Sequence, residues 1–198
     1  MKKFTEPALE AIARKALKDF NADLVIGEPC AIPIEDLVEL HYGLELEYRY
    51  IRQTGAILGC TVFNDAKLPI WIPEENRYAL LPVKSGTIII DMSLLHHNSI
   101  GRLRFTIAHE LAHWLIHQEL YTDEYVAAAH LKKTSMDENP AVERQANIIA
   151  TALLMPTGQV KRAFYAVRNK PDFIELLAKK FGVSVQAMRI FAEAHHMT

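Results

Sequence analysis

Two histidines four residues apart, with a glutamate directly after the first, constrain this chain more than any other feature. His109-Glu110-Leu111-Ala112-His113 lies inside the run Arg104-Phe105-Thr106-Ile107-Ala108 and is followed by Trp114. A helix is the conformation that gives the spacing meaning. At roughly 100° and 1.5 Å per residue, residues four apart sit one turn apart and about 40° out of line, so both rings can reach one ion. The glutamate beside the first histidine then stands next to that ion, placed to take a proton from a water there and not to ligate.

Such a site needs a third protein ligand, and the chain offers one further on. Residues 140–155 read as a helix with Asn139 as N-cap, Pro140 in the first turn and Pro156 as the stop. Glu143 and Asn147 share a face of it, while Val142, Ala146, Ile148, Ile149 and Leu153 spread over the buried side. In the thermolysin-like arrangement the third ligand is a glutamate from a second helix, and an acidic or amide residue four positions later orients a ligand histidine through its free ring nitrogen. Glu143 and Asn147 fit those two roles, with Glu110 as the base. The metzincin scheme wants glycine third and histidine sixth after the second histidine; Ile116 and Glu119 stand there, which excludes it. His117 continues the four-residue spacing, but an accumulated drift of about 80° turns it from the ion and makes it a supporting or helix-end residue.

The string Arg104 to His113, followed by Glu143-Arg144-Gln145-Ala146-Asn147 and Leu153-Leu154-Met155-Pro156, resembles the ImmA/IrrE family of regulatory metallopeptidases. The flanks carry the likeness too: Ile34 to Leu40 with Gly43-Leu44 is similar to the family's early helix and strand entry, and Leu177 to Ser184 to its C-terminal segment. Departures are small. Ala112 stands where glycine is common, Asn147 where aspartate is also used, and Ile149 where phenylalanine is usual. The resemblance implies a regulatory, zinc-dependent endopeptidase whose protein substrate is a helix-turn-helix transcriptional repressor, of the kind that guards mobile elements or stress responses in bacteria. His109, His113 and Glu143 would hold the metal, Glu110 would be catalytic and Asn147 would support a ligand. Zinc follows from the ligand types, although two histidines and a carboxylate also accept manganese or iron(II).

Two rival readings belong to other classes. The same fold could serve as a catalytically weak, metal-dependent sensor or partner-binding module, including a toxin–antitoxin-like pairing; the intact Glu110 argues against that, because a structural site needs no base. The other is a DNA-binding regulator acting through residues 172–196.

With 198 residues and 50% hydrophobic content the chain can bury a sizeable core, so we expect a peptidase core over 1–156 and a helical appendage over 157–198 packed on it. A net charge of -2 gives no general attraction to nucleic acid, although the tail is mildly basic, with 7 basic and 3 acidic side chains against 15 and 21 before it. Two cysteines, Cys30 and Cys60, and no apolar run after Met1-Lys2-Lys3 indicate neither a disulfide framework nor a secretory signal, and Cys60 reads as a packed thiol. The apolar runs fall short of a membrane span. A cytoplasmic setting with no membrane partner is expected.

The expected fold class is α+β: a small, mostly antiparallel sheet packed on a helical zincin-like core, with a C-terminal helix-turn-helix-like segment. A helix opens at Thr5-Glu6-Pro7, and a short one runs from Pro33 to His41. Residues 44–50 alternate as a strand; Ala56 to Phe63 is a second, joined through a hairpin turn at Asn64-Asp65-Ala66-Lys67 to Leu68 to Ile72, whose prolines suggest an edge. A polar loop leads to the strand Thr87 to Asp91, and from Ser99 a helix runs through the motif to about Gln118. One sheet beside this helix suits a peptidase, because a sheet edge can hold an extended substrate by main-chain bonds.

Residues 119–139 form a long connection with little periodicity, and such loops are uncommon unless functional. Tyr121, Tyr125 and His130 lie there as candidates to stabilise the oxyanion of a tetrahedral intermediate, while the adjacent His96 and His97 read as surface. At the C-terminus, Pro171 to Gly182 and Ser184 to His196 form helix, turn, helix. The second helix offers only Gln186 and Arg189 to a groove, so direct nucleic-acid contact is not expected. Val185, Met188, Phe191 and Ala192 should instead bury against the core.

Overall fold

Helix α1 (Glu6–Phe20) starts where Pro7 suits a first turn and buries Leu9, Ala13, Ala16 and Leu17, one face at three- and four-residue steps. The computed structural model describes residues 4–54, 56–96, 100–120 and 139–197. After the single turn α2 (Asp23–Ile26), α3 (Ile34–Asp36) widens into a π-helical turn over Leu37–His41. Gly43, at φ 63°, then reverses the chain into β1 (Glu45–Arg49). Strands β2 (Gly59–Val62), β3 (Ala66–Ile72), β4 (Arg77–Val83) and β5 (Thr87–Asp91) follow. The remaining described elements are helical: α4 (Ser93–His96), α5 (Ile100–Ile116), α6 (Pro140–Leu154), α7 (Thr157–Val167), α8 (Phe173–Phe181) and α9 (Val185–Ala194).

The architecture is α+β, as expected. Its strands form two sheets and not one: β1-β5-β2, with β1 parallel and β2 antiparallel to β5, and the hairpin β3-β4. All five residues of β5 are buried, as a central strand covered on both faces must be. Its alternation divides the core: Ile88 and Ile90 join the large cluster with the helices, and Ile89 joins a smaller one with Ile51, Cys60, Val62, Leu68, Ile70 and Val83.

The expected hairpin between β2 and β3 does not form. Asp65 instead accepts the Ser85 N–H at 2.9 Å and the Ser85 hydroxyl donates to the Phe63 carbonyl at 2.6 Å, which tie the 63–65 segment to the turn before β5. The partner of β3 is β4, which lies in what the sequence presents as a polar loop. Its charged start, its proline and its outward Tyr78 and Leu80 hide the inward Ala79, Leu81 and Val83. The reversal is made at Pro73–Glu75 with Asn76 in the left-handed region, φ 48°. In a two-stranded sheet each strand has an edge, which accommodates Pro69 and Pro82.

The tail does not stand apart from this core. Val160, Phe164, Leu177, Phe181, Met188, Phe191 and Ala192 belong to the same large cluster as Ile107 and Leu111 of α5. Gly182, at φ 64°, caps α8, and the Ser184 hydroxyl accepts the Ala187 N–H at 3.1 Å to start α9. The turn between them presses on α5 so closely that a Cβ at Gly101 would lie 2.5 Å from the Ser184 nitrogen. Arg104 of α5 clamps it, its Nε donating to the Gly182 carbonyl at 3.0 Å and its Nη2 to the Ile32 carbonyl at 2.5 Å. Val185 departs from expectation at 40% exposure, because Val183 of the turn packs against the cluster in its place. Cys60 is buried and Cys30 exposed. Among the described residues no helix is long and apolar enough to cross a membrane.

Two neighbouring positions on α9 separate packing from propensity. Phe191→Ala, at a site 5% exposed, should cost about 3–5 kcal/mol in urea unfolding. Ile190→Ala, at 60% exposure, should stay within about 0.5 kcal/mol of the native protein.

Candidate metal centre

Helix α5 is buried along Arg104, Thr106 to Ala108 and Glu110 to His113, so the motif lies against the sheet and α6 and not in solvent. The Asn139 side chain caps α6 by accepting the Ala141 N–H at 3.0 Å, and Pro140 occupies its first helical position. Val142, Ala146, Ile149, Ala150 and Leu153 then turn the inner face of α6 to the core. That packing leaves Glu143 facing the histidine pair. Its Oε2 lies 3.1 Å from His109 Nε2 and its Oε1 3.5 Å from His113 Nε2.

His109 Nε2 and His113 Nε2 are 3.0 Å apart, and the donor atoms of His109, His113 and Glu143 all lie within 4.8 Å of one another. Two imidazole nitrogens facing each other so closely repel unless a proton or a cation lies between them, and a carboxylate completes a set suited to one divalent ion. The outer nitrogens are engaged elsewhere, which leaves Nε2 as the converging atom of each ring. His109 Nδ1 is 3.0 Å from Asn147 Oδ1, the contact anticipated for that amide. His113 Nδ1 is 3.0 Å from His117 Nδ1, and His117 Nε2 is 3.1 Å from Gln145 Oε1.

Electrostatics favour a charged carboxylate facing the rings. Burial opposes ionisation of Glu143, but its bonds to His109 and His113 outweigh burial and hold its carboxyl well below the usual range. Burial likewise disfavours charge on His109, yet Glu143, Glu110 and Asn147 together raise its pKa. His117 goes the other way. Desolvation pushes its pKa down to about 4, so the ring is neutral at ordinary pH.

Glu110 is 8% exposed and held by a strand that sequence spacing does not connect to it. Pairing of β2 with β5 puts Gly59 opposite Ile90 and Thr61 opposite Ile88, on the helix-facing side of the sheet. There the Thr61 hydroxyl lies 2.8 Å from Glu110 Oε2 and 2.9 Å from the Glu110 carbonyl. Gly59 leaves room for the carboxylate, since a Cβ would come 2.7 Å from Oε1. Gly59, Thr61 and Gln145 were not singled out from the sequence. The first two depend on strand register, and Gln145 is two positions from Glu143 and so points to another side of α6. Tyr121, Tyr125, His130 and His97 lie outside the described residues; His96 Nε2 is 3.1 Å from the Tyr50 hydroxyl at an exposed position.

A family model described as Peptidase_M78, IrrE N-terminal-like domain, matches residues 91–193. The chain belongs to this family. The match begins at Asp91, the last residue of β5, takes in both helices that carry the donor cluster, and runs across Pro156 into α9. A metal ion is therefore the fitting occupant of this IrrE-like centre. The fold is also similar to that of a solved structure, a Mycobacterium tuberculosis transcriptional regulator, with a TM-score of 0.51 and 16% identity; the alignment covers 91% of this chain and 54% of that one. The chain thus spans about half the length of that structure. No curated protein matches significantly.

Because a metal must displace the proton from His109, whose pKa is raised, metal affinity should be full above that pKa and fall as pH drops through it, by roughly tenfold per pH unit for one displaced proton. Calorimetric titration with zinc across pH checks this. At neutral pH, uptake should be about one ion per chain, and His109→Ala, His113→Ala or Glu143→Ala should each remove most of it. Asn147→Ala should weaken it about 10–100-fold.

Proposed function

We propose that this IrrE-like chain is a zinc-dependent endopeptidase with a regulatory role, cleaving a helix-turn-helix transcriptional repressor. The observation that carries the reading is a buried carboxylate, Glu110, fixed by Thr61 and near enough to the convergent His109, His113 and Glu143 for its charge to help raise the pKa of His109. A structural metal site would have no use for it. When bound there, zinc would act as a Lewis acid that makes water a better nucleophile and polarises the scissile carbonyl. His109, His113 and Glu143 would hold the ion. Glu110 takes the proton from the attacking water and delivers it to the leaving amine. The Thr61 hydroxyl keeps the carboxylate from rotating away, and Asn147 keeps the His109 ring aligned.

Strand β2 is the outer strand of its sheet on the Glu110 side. We assign it the role of pairing with an extended substrate, which suits a peptidase because main-chain bonds ignore side-chain identity. Specificity for a repressor rests on the family resemblance. The apolar contacts of Met188, Phe191 and Ala192 favour a tail that packs over one that reads DNA, and a cytoplasmic setting is the one in which such a repressor is met.

Incubation of the zinc-loaded chain with co-encoded helix-turn-helix repressors tests the proposal. Specific cleavage is expected, lost in Glu110→Gln while zinc uptake is unchanged. Cleavage that survives in Glu110→Gln overturns the assignment of the base, and binding without cleavage by the native chain favours the sensor or partner-binding reading. Gly59→Ala, which forces Glu110 to move, should lower turnover on the order of 100-fold with metal uptake intact.

A further inference from the structure

The second histidine and two side chains behind it are buried together: His113 at 2%, His117 at 1% and Gln145 at 8% exposure. At that depth each must find its hydrogen-bond partner in the protein, and the proton positions become interdependent. The nitrogens His113 Nδ1 and His117 Nδ1, 3.0 Å apart, can share one proton; one must donate and the other accept.

We infer that Gln145 and His117 form a neutral positioning relay, in which the Gln145 amide oxygen fixes the proton of His117 and His117 fixes that of His113. The inference rests on the metal-site reading above and deepens it. To offer Nε2 to a metal, neutral His113 carries its proton on Nδ1 and donates it backwards. His117 must then present a bare Nδ1 and carry its own proton on Nε2. That proton points at Gln145 Oε1, 3.1 Å away, which can only accept. The opposite orientation of the amide would reverse every step: an N–H facing His117 Nε2 would put the proton on His117 Nδ1, then the lone pair on His113 Nδ1, and a proton on the very nitrogen the metal needs. Gln145 thus selects the binding-competent tautomer of His113 through His117. The backbone supports the geometry, since the His117 N–H bonds to the His113 carbonyl at 2.9 Å and carries the helical spacing one residue past α5. His117 is accordingly a positioning residue and not a ligand.

The experiment is nitrogen-15 NMR of the imidazoles in the full-length protein, with and without zinc, beside zinc titration of the native chain, Gln145→Leu, His117→Phe and His117→Asn. The native spectrum should show His117 neutral, protonated at Nε2 and bare at Nδ1, in both states. Gln145→Leu and His117→Phe should weaken zinc about 10–100-fold. His117→Asn should recover most of the loss, because its amide oxygen takes the position of the ring Nδ1. A His117 proton on Nδ1 overturns the relay, as does native zinc affinity in His117→Phe, or an Asn variant no better than Phe. If a variant does not fold, the native spectrum decides alone. A native chain that takes up no zinc overturns instead the metal-site reading, and the two failures are thereby distinct.

Discussion

Helix α5 carries polar chemistry on its buried face, and that requirement shapes what surrounds it. An unpaired buried polar group costs on the order of 1–3 kcal/mol, and a buried charge more. Arg104, Glu110 and His113, with His117 just beyond, have little access to water, so the protein must supply their partners. It does so from separate parts of the chain: the Ile32 and Gly182 carbonyls for Arg104, Thr61 for Glu110, and Gln145 for His117. The loop before α3, the strand β2, the helix α6 and the α8–α9 turn thus all meet α5 or the residue just beyond it through a polar contact. Apolar burial supplies the driving force, while these contacts restrict the ways in which the elements can assemble.

The parts of the centre that were legible in the sequence are those governed by helical periodicity. His109, Glu110 and His113 follow from one turn of α5, and Glu143 with Asn147 from one turn of α6, whose start is marked by Asn139 and Pro140. Bringing the two helices together needed only the knowledge that a site of this kind requires a third donor. In the structure the donor atoms of His109, His113 and Glu143 converge, and Asn147 contacts the outer nitrogen of His109.

What escaped the sequence depends on pairing between distant segments. Nothing near Gly59 or Thr61 announces Glu110; the connection passes through the register of β2 on β5. The hairpin misassignment has the same origin, because Asn64 and Asp65 have turn-like composition whether they join two strands of one sheet or hand the chain to another. Strand β4 was hidden by outward-facing apolar residues that blur its alternation. Gly101 could be read as a tolerated helix glycine, but its reason, contact with the Ser184 backbone, lies more than eighty residues away. Val185 was placed on the buried face by helical spacing alone, whereas the approach of the preceding turn gave that place to Val183.

Strand β5 has a consequence for how the molecule comes apart. Its Ile88 and Ile90 serve one apolar cluster and Ile89 the other, so a single five-residue strand is a party wall between two interiors. Such a wall cannot be breached from one side alone. Displacing β5 to loosen the two-stranded hairpin would withdraw support from the helices behind it, and melting those helices would strip the hairpin of its floor. The arrangement couples the fates of the two halves, favouring concerted unfolding over the stepwise loss of one layer, and it keeps the strand that carries Thr61 in register for as long as either interior persists.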